Sequence, residues 1–233
     1  MLKRLLRRAL HTAVYHLVVK PGRRRTAHTR AARFALTVRP TVFHPKWFVS
    51  SEILAGFVGR LDLGGRRVAD VGTGSGVLAL AAARAGASLV VAVDVNPEAA
   101  RSAAENARAN GYGERVGVLC GDLLSAVSPD TRFDAIVSNP PFFPREPRDT
   151  GDRAWHAGPA YRDIAPLFGQ IRERLAPGGR AYVVLSSDAD LATLHGLIDA
   201  AGLTRRVVVE RRLLFESMLV YELAVPDLPI DIR

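Results

Sequence analysis

The 233-residue chain is 48% hydrophobic and 24% charged, the make-up of an ordinary globular protein long enough for one sizeable core. Its single cysteine, Cys120, excludes an internal disulfide and a multi-cysteine zinc site, and no apolar run nears the roughly 20 residues of a membrane-spanning helix, so it reads as a soluble, cytoplasmic protein. The net charge of +9 sits at one end: residues 1–40 hold 11 Lys or Arg and no acid, and the other 21 of the 32 basic residues face 23 acidic ones.

At the N-terminus, Leu2, Leu5, Leu6, Ala9, Leu10, Ala13, Val14 and Leu17 recur at three or four, while Lys3, Arg4, Arg7, Arg8 and His11 fill the opposite face. That spacing predicts a basic amphipathic helix. Pro21-Gly22 and Arg23 to Arg25 then read as a linker. The expected organisation is a basic helix and linker over 1–40, a main domain over 41–226 and a short tail over 227–233. The basic end suits nucleic acid, an acidic protein partner or an anionic surface.

From residue 67, short β-branched runs alternate with alanine-rich stretches, a pattern that demands crossover helices and a parallel sheet. Strands are expected at 67–71, 89–94, 115–119, 133–138 and 180–186, with helices near 76–85, 97–110, 162–176 and 189–201. Two last strands, near 204–210 and 216–224, are separated only by a short link and so pair antiparallel. His44, His156 and His195 lack metal-like spacing with carboxylates, so no metal site is expected.

Val68-Ala69-Asp70-Val71 leads directly into Gly72-Thr73-Gly74-Ser75-Gly76. Small residues at such a strand-to-helix turn let a ligand approach the backbone. Asp94 ends the next strand, where a carboxylate can accept both hydroxyls of a ribose, and Asp122 and Asn139 follow the third and fourth strands along the same edge. The G-x-G-x-G spacing departs from the nicotinamide fingerprint, and no phosphate-binding Lys follows the turn.

The strand Phe133 to Ser138 delivers Asn139-Pro140-Pro141-Phe142 to that edge. Paired prolines fix two φ angles and bring no N–H, so the carbonyls stay in place and free to accept. An amino or amide nitrogen suits this geometry: it donates to the Asn139 side-chain oxygen and the Pro140 carbonyl, with the Phe142 ring over its planar face. Catalysis of this kind is positioning and electrostatics.

Together, Asp70 to Gly76, Asp94 and Asn139-Pro140-Pro141-Phe142 resemble the class I S-adenosylmethionine (SAM) dependent methyltransferases with a "small" methyltransferase domain, over about residues 42–224. The resemblance implies a doubly wound, Rossmann-like α/β fold whose seven-stranded, mostly parallel sheet has its last strand antiparallel. It implies SAM as cofactor and S-adenosylhomocysteine as product. Asp70, Gly72, Gly74 and Gly76 would line the methionine part, Asp94 the ribose, and Asp122 with Leu123 the adenine, with Thr73, Val95, Asn96 and Asn139 completing the cofactor set. Asn139, Pro140 and Phe142 take catalytic roles. Pro141 and Phe142 face the acceptor, as do Phe43 and Trp47 of the segment Thr41 to Ser51, which stands where the family places a lid.

Ala154-Trp155-His156-Ala157-Gly158, Leu175-Ala176-Pro177-Gly178-Gly179 and Glu210 to Glu216 are similar to the release-factor glutamine methyltransferases, whereas Phe142 in place of tyrosine is common among nucleic-acid enzymes. The implied acceptors are a protein glutamine first, an exocyclic amine of an RNA or DNA base next, and a small metabolite third.

Overall fold

The computed structural model describes residues 25–45, 49–214 and 216–226. The amphipathic helix, Trp47 and the tail expected from the sequence lie outside the described residues. Among the described residues, no helix is long and apolar enough to cross a membrane.

Seven strands form the main sheet: β3 (Arg67–Val71), β4 (Leu89–Asp94), β5 (Val116–Cys120), β6 (Phe133–Ser138), β7 (Leu175–Ser186), β8 (Thr204–Arg212) and β9 (Ser217–Ala224). Their spatial order is β5-β4-β3-β6-β7-β9-β8, parallel except for β9, which runs against both its neighbours. The hydrophobic alternation explains why the sheet is covered twice. Val68, Ala92, Val137 and Val184 face one buried cluster, whereas Ala69, Val93, Ile136 and Leu185 face the other. The first is covered by α1 (Val49–Val58), α2 (Val77–Arg84) and α3 (Pro97–Ala109), the second by α4 (Ala165–Arg174) and α5 (Leu191–Ala200).

The strand order reverses between β3 and β6, and both strands end at the same edge. A crevice at such a switch point is where open α/β sheets take ligands. β7 begins at Leu175, earlier than the sequence suggests, because Gly179 lets a bulge form against β6; a Cβ there would meet the Phe133 carbonyl oxygen at 3.1 Å. Cys120 is exposed, not packed, since β5 is the outer edge of the sheet.

Within the helix and linker expected over residues 1–40, the chain instead forms a hairpin of β1 (Ala27–Ala31) and β2 (Phe34–Val38). Its buried residues Ala31, Phe34, Leu36 and Val38 join the main core. Side chains of α3 complete its edge as another strand would. Asn110 accepts from the Ala35 N–H and donates to the Ala35 carbonyl, and Asn106 does the same with Thr37. Asparagines four apart on a helix thus match residues two apart on a strand. The same Asn106 amide donates to the Ser75 carbonyl at 2.8 Å, so the hairpin is tied to the glycine-rich turn.

Candidate active site

A cleft of about 1140 Å³ runs along the carboxyl ends of β3, β4 and β6. It is lined by Gly72, Thr73, Gly74, Asp94, Val95, Asn96, Asp122, Leu123, Asn139, Pro140, Pro141 and Phe142 of the expected set, with Phe43 at its lip. Asp70 and Gly76 are outside that lining.

The three glycines divide by role. Gly72 and Gly74 have φ of 75° and 55°, and a Cβ on either would meet nothing within 4 Å. They hold the backbone in a left-handed form beside open space, which is what a ligand lying on the turn requires. Gly76, at φ 84°, faces α3 instead: a Cβ would stand 3.0 Å from the Ala103 Cα. It is needed for helix packing, and it lies outside the lining of the cleft.

Asp70 is likewise a buttress. It is fully buried, and its Oδ2 accepts from the Thr73 hydroxyl at 2.6 Å and the Ala79 N–H at 2.9 Å, bracing the turn from below. Burial pushes its carboxyl up to about 7, in spite of those two bonds. Asp94 spans the turn from the other side, accepting from the Gly74 N–H at 2.8 Å and the Asn96 N–H at 2.9 Å. Each carboxylate oxygen retains a further lone-pair site. Burial pushes Asp94 upward also. Asn96 caps α3 through the Glu98 N–H and donates to the Thr41 hydroxyl, fixing the segment after β2 beside Asp94. Leu123 lines the cleft at φ 51°, a strained setting for a branched side chain.

At the other end of the cleft, the Asn139 amide nitrogen donates to Ser50 Oγ at 3.2 Å and Ser51 Oγ at 3.0 Å. Both serines are buried on the first turn of α1. They commit the N–H groups of Asn139, and its side-chain oxygen has no donor among the described residues. The next backbone carbonyl but two, that of Phe142, accepts from the Tyr161 hydroxyl at 3.0 Å. Phe143 is stitched to the returning chain by the bonds Phe143 N–H to the Trp155 carbonyl and Ala157 N–H to the Phe143 carbonyl. That stitch brings Trp155 to the mouth, where its ring lies 5.0 Å from the Phe43 ring.

The arginine-rich loop after the tetrad is organised by one acid. Asp152, fully buried, accepts from the Arg148 N–H, Nε and Nη2, with His156 Nδ1 at 3.3 Å. Asp188, Asp190, Leu213 and Glu216 close the far wall. Ser50, Ser51, Trp155 and Glu216 were not expected at the site. Ser50 and Ser51 end the segment read as a lid, and Trp155 and Glu216 stand in stretches that carried the family resemblance, but none of the four had a site role in the sequence.

The cofactor implied by the resemblance is compatible with this edge: an open glycine turn, a carboxylate beside it, and a polar residue at each following strand end. The family model for ribosomal protein L11 methyltransferase (PrmA) matches residues 54–140, which takes in the glycine-rich turn and stops inside the tetrad. A ribosomal protein L11 methyltransferase of Pelotomaculum thermopropionicum is 56% identical over 75 residues, 32% of this chain and 24% of that one. A tRNA1(Val) (adenine(37)-N6)-methyltransferase of Bacteroides fragilis is 33% identical over 144 residues, 56% of this chain and 59% of that one. The chain thus spans from about a quarter to three fifths of the length of these curated relatives. Among solved structures, the Thermus thermophilus 16S rRNA N2 methyltransferase (RsmC), in complex with AdoMet and guanosine, is similar with a TM-score of 0.63 at 23% identity, covering 85% of this chain and 50% of that one. The ribosomal protein L11 methylase of Lactobacillus delbrueckii subsp. bulgaricus gives 0.59 at 24%, covering 79% and 82%. At these identities the likeness is one of fold.

Proposed function

We propose that this chain, built on the fold of the class I SAM-dependent methyltransferases, transfers a methyl group from SAM to the exocyclic amino nitrogen of a base in RNA. The observation that carries this reading is the state of Asn139: its N–H groups are spent on Ser50 and Ser51, leaving its oxygen as an acceptor in a cleft continuous with the glycine turn. An amino nitrogen has N–H groups to give to such an oxygen. Phe142 lines the same cleft and supplies an apolar ring for a flat acceptor.

When bound, SAM supplies a methyl on a sulfonium sulfur, an electrophile that needs no activation. Gly72 and Gly74 admit it to the backbone, and Asp94 offers its remaining lone pairs to ribose hydroxyls. Asn139 orients the nitrogen and, by accepting its N–H, makes it more electron-rich. Positioning of this kind lowers the barrier without a general base before attack.

The L11 family match ends at Pro140, so it speaks for the cofactor half and little for the acceptor. The tRNA adenine-N6 relative reaches across more of the chain. This moves the emphasis from the glutamine favoured by the sequence to a base. A side-chain amide meets the same hydrogen-bonding demand and is the second reading.

The test is incubation with methyl-labelled SAM and separated RNA and protein fractions of a bacterial extract. Label in RNA, released as a methylated base, is the expected result; label in protein alone would overturn the base reading. In Asn139→Ala, transfer should fall on the order of 100-fold with SAM affinity nearly unchanged.

A further inference from the structure

The first acidic residue of the chain is Glu52, so residues 1–51 contain 12 Lys or Arg and no acid. The described part of this stretch includes the β1–β2 hairpin, clamped by Asn106 and Asn110 and sealed by a buried face. Its other face carries His28 and Arg30, both exposed, with Arg25 leading in and Arg33 at the turn. Many surface arginines elsewhere are answered by acids, as Arg66 is by Asp134, Arg162 by Glu146, Arg205 by Asp199 and Arg206 by Glu222. Arg25, Arg30 and Arg33 have no acidic partner among the described residues.

The turn adds an independent observation. Ala32 and Arg33 have φ of 47° and 70°, the pattern of a two-residue hairpin loop that favours Asn-Gly. An arginine where glycine would relieve strain suggests that its side chain is used. The hairpin leads away from the cleft: its turn packs at the C-terminal end of α2, where Arg84 Nη1 donates to the Ala32 carbonyl at 3.0 Å. Its other end runs through Arg39 and Pro40 to Thr41, Val42 and Phe43 of the cleft lip, so that Arg33 stands roughly 25 Å of extended chain from the lip.

We infer that the outer face of this hairpin is a docking surface for the phosphate backbone of single-stranded RNA, with Arg25, Arg30 and Arg33 neutralising phosphates along the strand that leads away from the nucleotide whose base enters the cleft. This deepens the base-methylation reading and rests on it for the identity of the polymer. A basic face that extends from the cleft lip would hold the strand in register, while Asn139 and Phe142 meet the base.

The experiment measures binding of the full chain to a single-stranded RNA oligonucleotide over a range of salt, without SAM. Each phosphate contact removed should flatten the slope of log affinity against log salt by about 0.7. Arg33→Gly should lower that slope by one such step and weaken binding several-fold, while its melting temperature stays the same or rises because the turn is relaxed. Arg30→Gln combined with Arg33→Gly should lower it by two steps. Failure of the wild-type chain to bind RNA, or variants with unchanged affinity and slope, would overturn the inference. So would equal binding of polyglutamate with the same losses, which would assign the face to an acidic protein. The two readings fail separately. If RNA is methylated as well by the variants as by the wild type at limiting RNA, the docking surface falls and the acceptor stands. If RNA binds through the hairpin but label enters protein alone, the acceptor reading falls and the docking surface stands.

Discussion

The Tyr161 hydroxyl donates to the Phe142 carbonyl at 3.0 Å and accepts from the Asp190 N–H at 2.8 Å, so one buried side chain joins the acceptor loop to the loop after β7. The backbone beneath it is strained, with Ala160 at φ 52° and Tyr161 at φ 60°. Strain of about 1–3 kcal/mol at each such residue persists only where the surroundings impose it. Tyr161→Phe keeps the packing and removes the bridge, leaving a carbonyl and an N–H short of a partner. Turnover should fall about tenfold, equivalent to about 1.4 kcal/mol, whereas SAM affinity measured by calorimetry should not move. Equal loss of both would mean a purely structural role.

Ser50 and Ser51 set the Asn139 amide from another element. With both changed to Ala, that amide is free to rotate and can present its nitrogen to the acceptor. Steady-state kinetics should show a fall in kcat of about tenfold, with the KM for SAM little changed. Either single variant keeps one bond and should lose less.

The glycines of the turn should separate by phenotype. In Gly72→Ala and Gly74→Ala the added Cβ meets no protein atom, so the folded state bears only the left-handed φ, about 1–2 kcal/mol. The methyl enters space kept for the ligand, and calorimetry should show SAM affinity falling more than stability. Gly76→Ala drives its Cβ into Ala103 and should lower the melting temperature most of the three.

Much of the sheet could be read in the sequence because its strands are short valine-rich runs bounded by turn residues. β3, β4 and β6 fall where expected to the residue. The hairpin could not be read that way. Its turn is Ala32-Arg33, without Asn or Gly, and β2 is completed by Asn106 and Asn110, about 70 residues onward. Site geometry was hidden for the same reason. Nothing local distinguishes Gly76, which packs against Ala103, from Gly74, which faces open space. Ser50 and Ser51 meet Asn139 across nearly 90 positions of chain.

The hairpin yields a boundary test. Removing residues 1–24 leaves every described contact in place, and a chain that begins at residue 25 is the reference for the cut that follows. Removing residues 1–40 strips Phe34, Leu36 and Val38 from the core, each worth about 1.5–3 kcal/mol, and leaves Asn106 without the Thr37 backbone. Thermal unfolding should shift down by many degrees, and SAM affinity should drop because Asn106 also holds the Ser75 carbonyl.

Asp70 should impose a pH dependence on stability with a definite sign. Its folded-state carboxyl stands at about 7, raised by burial, against 3.8 ordinarily. Between these values the unfolded chain has released the proton that the folded chain keeps. Unfolding is then favoured as pH rises, by up to about 1.4 kcal/mol per unit. The stability contributed by the protonated form is complete below pH 4 and lost as pH rises through 7, with no further change above. Asp70→Asn preserves an acceptor for Thr73 and Ala79 and cannot ionise. Its melting temperature should therefore gain on the wild type steadily from pH 4 to 7 and hold that gain at pH 8. A constant difference across the range would show that Asp70 does not retain its proton in the folded chain.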